Sequence, residues 1–407
     1  MQFSQVIGQS HLKKELPALM QENRLAHALL FLAKEGSGAL PLAIAFAQYI
    51  ACAQTIPVQP AAPSGGLFGN SLFETETAPV AESKPAGEAC GSCPSCLKMD
   101  ALVHPDIHFS YPVIARKDGK PALSTDYIAE WREFIKSYPY GNLYDWLQFL
   151  GAENKQGNIT AAECNDIIRK LNLKSFEGGY KVLIMWMPEY LGAEGNKLLK
   201  LIEEPPEKTL FLLVAENEAQ ILPTILSRCQ IIKVPQLEDA AIEEALIHRN
   251  HTEPATAGRI AMVVDGNYRE ALQMGQHANE DWQSLLRDWL NAILRGGPAA
   301  QAKWVDGISK LGRENQKQFL KYFNRLLQLA IRMNIVPETG TQYPEKDLDF
   351  ASRLNNITGI EQQQAIVEEL DNAAYYIERN ANGKMLFMAL TIKIYHIIQD
   401  KIVFLND

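Results

Sequence analysis

Residues His27 to Leu40 read HALLFLAKEGSGAL, and the succession of residue types in this stretch decides the fold. A short apolar run suited to a buried strand is followed by a glycine-rich turn. A continuous helical pattern then runs from Leu40 to Ile50. Strand, glycine turn and helix in that order form the context that a phosphate-binding loop requires. The chemistry of such a loop is missing. A working loop places a lysine against the β- and γ-phosphates and a hydroxyl on Mg²⁺, whereas these positions here hold Ala39 and Leu40. Gly36, Ser37 and Gly38 keep backbone N–H groups at a helix N-terminus, an arrangement suited to weak anion binding. Taken alone, the segment reads as a plain strand-to-helix turn.

Downstream, Thr160 and Glu163 form a capping-box signature that opens a helix running to about Leu173, and Gly178-Gly179 breaks it. Lys181 to Met187, KVLIMWM, is almost uniformly apolar and predicts a central strand of a parallel sheet, buried on both faces. A helix over Glu194 to Glu204 stops at Pro205-Pro206, and Leu210–Ala215 and Gln230–Val234 are further strands. The alternation makes this half α/β. A phosphate-loop ATPase also needs acidic residues at a neighbouring strand end to hold Mg²⁺ and orient water. That end reads Met185-Trp186-Met187-Pro188, and Glu189, beyond the proline, is expected to be a solvated turn residue. Two independent losses predict a chain that does not hydrolyse ATP.

After Pro235 helical patterns follow one another: Glu238–Arg249, Pro254–Val264, Tyr268–His277 and several longer ones, including Glu361–Arg379 and Met385–Lys401. With 47% hydrophobic and 21% charged residues over 407 positions, the composition is that of an ordinary globular protein with room for several domains. A net charge of −9 argues against a protein that coats DNA by itself, since phosphate binding needs an excess of Lys and Arg. The N-terminal residues show no apolar segment followed by a small-residue cleavage site, so a cytoplasmic protein is expected. The longest apolar stretch, Ala39 to Ala53, is too short to span a membrane.

Leu222 to Gln230 reads LPTILSRCQ, with Ser227-Arg228-Cys229 at the end of a short helix before a strand. A lone arginine here would ordinarily be a surface ion pair. Taken together, VIGQ at Val6, RLAHALLF at Arg24, NKLLKLIEEPPEKTLFLLVAEN at Asn196, the Ser-Arg-Cys triplet and GNYREAL at Gly266 resemble the clamp-loader branch of the AAA+ ATPases. The segments span about two thirds of the chain, and their joint order is far more specific than any one of them. The resemblance implies an α/β AAA+ domain over 1–235 carrying a zinc module (52–96), a helical lid domain over 236–280 and an all-α collar domain over 281–407. It implies a stator role in DNA replication, with Arg228 as an arginine finger reaching the ATP site of an adjacent subunit. A planar, permanently charged guanidinium suits that task. Ser227 and Cys229 would shape the turn. Asn217 and Arg269 match the family's two sensor positions, with no local ATP to sense. The implied partners are gamma/tau-type ATPase subunits, a delta-type subunit and, through the complex, the sliding clamp and primed DNA. Two rival readings are an active ATPase with unusual site residues and a stand-alone zinc-dependent nucleic-acid adapter.

Cys90-Gly91-Ser92-Cys93-Pro94-Ser95-Cys96 offers three thiolates at two-residue gaps, and a structural zinc needs four ligands in a tetrahedron. Cys52, at the end of the preceding helix, is the best fourth, and the resemblance supports it, since clamp-loader subunits carry one cysteine ahead of three. The Pro-, Gly- and Ser-rich stretch from Ala53 to Ala89, expected to be a mobile loop, separates them. An iron–sulfur cluster is the rival, but its usual run continues to a fourth cysteine that Leu97–Asp100 lacks. His104 and His108 lie nearby. The resemblance puts His104-Pro105-Asp106 at a strand entry, where a structural role is expected. Cys164 and Cys229 are expected to be packed residues. Residues 110–157, with WREFIKSYPYGNLYDWLQFL from Trp131, have no counterpart in the family pattern; an extra helical hairpin, a partner surface and added core are the alternatives, with helical packing the expectation.

Overall fold

The apolar run after His27 forms strand β1, Ala28–Ala33, the second strand from one edge of a parallel sheet. The others are β2, Ile107–Ser110; β3, Lys181–Trp186; β4, Thr209–Ala215; and β5, Gln230–Val234, in the order β2-β3-β4-β1-β5. The computed structural model describes residues 1–53, 87–115, 121–152, 155–276, 282–335, 345–378 and 381–401. Most of the expected loop between Ala53 and Ala89 lies outside them. Every residue of β3 and β4 is buried, which accounts for runs with no polar alternation. Edge strand β5 exposes Gln230, Ile231 and Lys233.

The chain divides into two compact units, Met1–Gln276 and His277–Asp407. In the first, α1 (Ser10–Gln21), α2 (Ala39–Ala51), α3 (Pro94–Asp100), α4 (Ile128–Ser137), α5 (Leu143–Phe149) and α6 (Ala161–Leu171) accompany the sheet. The helix expected from Glu194 is two pieces: a 3-10 segment from Pro188 to Leu198, then α7, Leu199–Glu203, which ends before the proline pair. Thr160 caps α6 by accepting from the Glu163 N–H at 3.2 Å. The Glu163 carboxylate is drawn away from the reciprocal half of the box. It accepts from the Ser124 N–H at 2.8 Å and from the Ser124 hydroxyl, and burial raises its pKa. Helix α8, Pro223–Leu226, leads into β5.

Helices α9 (Asp239–Asn250), α10 (Pro254–Val263) and α11 (Tyr268–Gln276) close on a small core of Ile242, Leu246, Ile260 and Tyr268, which Ile7 and Tyr140 also enter. The second unit, among the described residues, is helical throughout: α12 (Trp282–Asn291), α13 (Gly297–Ile308), α14 (Arg313–Ile335), α15 (Glu345–Ile357), α16 (Ile360–Glu378) and α17 (Gly383–Gln399). Its core centres on Trp289, stacked on Trp304 at 4.7 Å and donating its indole N–H to Thr391 Oγ1 at 3.0 Å. Among the described residues, no helix is long and apolar enough to cross a membrane.

Candidate functional site

The glycine loop joins β1 to α2 at the carboxyl end of the sheet, where α/β folds place ligands. Gly36 and Gly38 both take positive φ, +73° and +87°. Each is pressed by a side chain from elsewhere in the fold. A Cβ on Gly38 would lie 2.9 Å from the Tyr140 ring, and one on Gly36 would lie 1.9 Å from Asn267 Oδ1. Tyr140 is held there by accepting the Ile7 N–H at 2.7 Å and by edge contact with the Tyr268 ring, 5.0 Å away. Asn267 caps α11 by accepting from the Glu270 N–H at 3.1 Å, and Tyr268 donates its N–H to the Gly36 carbonyl at 3.3 Å. A hollow open to solvent lies between Gly36, Gly38, Tyr140, Trp186, Met187 and Glu216, and Tyr140 and Asn267 crowd its two glycines.

The lost acidic strand end is covered in the same way. Trp186 closes β3 against Trp131 at 5.2 Å and Phe134 at 6.1 Å, both on α4. Trp131 in turn stacks on Tyr111 at 3.9 Å and meets Trp146 of α5 edge-on. The segment without a counterpart in the family pattern therefore supplies core to the place where Mg²⁺ would sit in a working site. Met187 has φ +57°, a conformation rare outside glycine. Glu189 is not a solvated turn residue. It folds back so that Oε1 accepts the N–H groups of Glu216 at 2.6 Å and Asn217 at 2.9 Å, while burial raises its pKa. The proline before it starts a 3-10 turn that aims it inward.

Arg269 is 4% exposed and points at carboxylates of its own chain. Its Nε and Nη2 grip Asp145 at 2.6 Å each, and Nη1 donates to Glu35 at 3.0 Å. Glu35 also accepts from Asn142 at 3.0 Å and Asn267 at 3.3 Å. Asn217 is exposed, and its Oδ1 accepts the Ala219 N–H at 3.0 Å. Arg228 lies at the end of α8. Its Nε donates to Glu203 Oε1 at 2.6 Å and its Nη1 to the Thr224 carbonyl at 2.7 Å and to Ser227 Oγ at 3.1 Å. Cys229 is partly buried behind it, where burial pushes its thiol up to about 11. Sequence patterns gave no sign of Tyr140, Asn267, Glu35, Asp145 or Glu203 as members of these constellations.

The Sγ atoms of Cys52, Cys90, Cys93 and Cys96 all lie within 4.8 Å of one another, with Cys90 and Cys96 at 3.8 Å. A tetrahedral zinc with Zn–S bonds of about 2.3 Å sets sulfur pairs roughly 3.8 Å apart. Backbone N–H groups point at three of the sulfurs, those of Cys52 and Cys90 at 3.3 Å and that of Cys93 at 3.5 Å. Burial opposes ionisation of Cys90, but the amides of Ser92 and Cys93 together with hydrogen bonds from the Cys93 and Cys52 side chains bring the thiol down to about 6. Burial drives Cys96 upward. The four residues therefore fit one thiophilic ion. Both ring nitrogens of His104 are engaged elsewhere, Nδ1 by the Asp106 N–H at 3.2 Å and Nε2 by Glu177 at 3.1 Å. Among the described residues, no histidine joins the thiol cluster. Cys164 is buried and contacts the Glu194 carbonyl.

A family profile described as "DNA polymerase III, delta subunit" matches residues 70–238. The delta-prime subunit of DNA polymerase III from Bacillus subtilis is 25% identical over 270 residues, 66% of this chain and 60% of its own length. The tau subunit from the same organism is 24% identical over 333 residues, 80% of this chain and 46% of its own. The chain thus spans about half of the length of these relatives. The Escherichia coli delta-prime subunit matches at 24% identity nearly end to end, 96% of this chain and 95% of its own. The chain resembles the delta-prime subunits of DNA polymerase III.

Proposed function

We propose that this chain is the non-hydrolysing stator of a sliding-clamp loader and supplies Arg228 in trans to the ATP site of a neighbouring gamma/tau-type subunit. The observation that carries the reading is a glycine loop without its ligands: Ala39 and Leu40 stand where the phosphate-binding lysine and the Mg²⁺ hydroxyl would be, and Tyr140 and Asn267 crowd Gly38 and Gly36. A chain that lacks the ligands for its own nucleotide has no use for a catalytic arginine of its own. The guanidinium at the end of α8 serves a neighbour. A delta-type subunit completes the complex, through which the chain meets the clamp and primed DNA. Zinc is the ion proposed for the four cysteines, as a closed structural site that ties α2 to α3.

Arg228→Ala in a reconstituted loader tests the role. Arginine fingers contribute about 10³- to 10⁵-fold to turnover at the site they serve. The variant should assemble normally and lose turnover at that one site. Unchanged ATPase activity in a verified complex sinks the assignment.

A further inference from the structure

The guanidinium of Arg228 carries five N–H donors, and its own chain occupies most of them. Nε and Nη2 both meet Oε1 of Glu203, the first at 2.6 Å, and Nη1 donates to Thr224 and Ser227. Glu203 is the last residue of α7, directly before Glu204 and the proline pair that ends the helix, so its backbone is fixed. Thr224 and Ser227 belong to the turn that presents the arginine itself. In this geometry the fork has no free edge for a phosphate.

We propose that Glu203 is a positioning residue that parks Arg228 against its own chain until the phosphates of a nucleotide on a neighbouring subunit draw it off. The inference rests on the reading of Arg228 as a trans-acting finger. The side chains of Arg228 and Glu203 are 33% and 43% exposed, which puts the pair in the class of weak, solvent-screened ion pairs. A triphosphate offers the same fork several charged oxygens in bidentate geometry and a larger charge. Transfer of the arginine from carboxylate to phosphate is therefore favourable, and the contact with Glu203 subtracts a small, definite amount from it. Without a partner, the charge stays neutralised and the fork stays closed.

The test is nucleotide saturation of ATPase activity in the reconstituted loader with wild type, Glu203→Gln, Arg228→Ala and the double variant. Removing the competing charge should lower the half-saturating ATP concentration of the served site by about 1.5- to 5-fold, with the maximal rate unchanged. The double variant should match Arg228→Ala. If Arg228→Ala abolishes turnover while Glu203→Gln leaves half-saturation unchanged or raises it, or lowers the maximal rate, the parking role fails and the finger stands. If Arg228→Ala has no effect, the finger reading itself fails. A thermal unfolding midpoint for Glu203→Gln equal to wild type verifies that any shift is not a folding defect.

Discussion

Arg269 shows how one residue type is reassigned by its surroundings. The family pattern marks it as a sensor of nucleotide, but here its two forks are filled by Asp145 and Glu35 and almost none of it meets water. Breaking such a pair from one side leaves the other charges buried without compensation, at a cost of roughly 3 to 5 kcal/mol. Asp145 and Glu35 keep some access to water, so Arg269→Ala should destabilise the first unit by about 3 kcal/mol in urea unfolding, the lower end of that range. A loss below about 0.5 kcal/mol, the scale of ordinary surface substitutions, would show that the network does not hold α11 to the glycine loop. Glu189 repeats the lesson in the opposite sense. Its place after a proline suggests a solvated turn, yet the amides of Glu216 and Asn217 hold it inside.

The short helix α3 and the end of α2 depend on the four cysteines for their junction. Cys93 caps α3 while its sulfur faces the other three thiols, and Gln2 and Glu88 fasten the approach by bonds to Ala89 and to the amides of Phe3 and Ser4. Three thiols retain a zinc ion poorly when the fourth is removed, because the vacant position opens a closed site to water. Cys93→Ser should purify with well under one equivalent of zinc by elemental analysis, against one equivalent expected for the parent. One equivalent surviving in the variant would count against the site. Helices α4 and α5 are the other element whose role is structural: Trp131, Phe134 and Trp146 bury fully, and Trp131 and Phe134 cover Trp186. Helical packing was readable from the sequence at 110–157. What it packs on was not.

At the scale of the whole molecule, a glycine loop with Ala39 and Leu40 at its ligand positions and an apolar strand end give one joint expectation. The isolated chain should neither hydrolyse ATP nor bind it at micromolar concentration in equilibrium dialysis; turnover by the purified chain would favour the rival reading of an active ATPase with unusual residues. The strand–helix alternation to Val234, the helices beyond it, the losses at Ala39, Leu40, Trp186 and Met187 and the motif around Arg228 were all legible in the chain. Each is a local pattern, set by residue type and by periodicities of two and 3.6 that neighbouring residues carry among themselves. The tertiary structure alone decided what surrounds the glycine loop. Tyr140 reaches Gly38, Asp145 meets Arg269 across 124 positions, and Cys52 joins Cys90 across 38, because sheet register and helix packing bring those segments together. No periodicity in the sequence records such distant pairings. Glu203 belongs to the same class: α7 and α8 meet only in the fold, so the partner of Arg228 became visible only there.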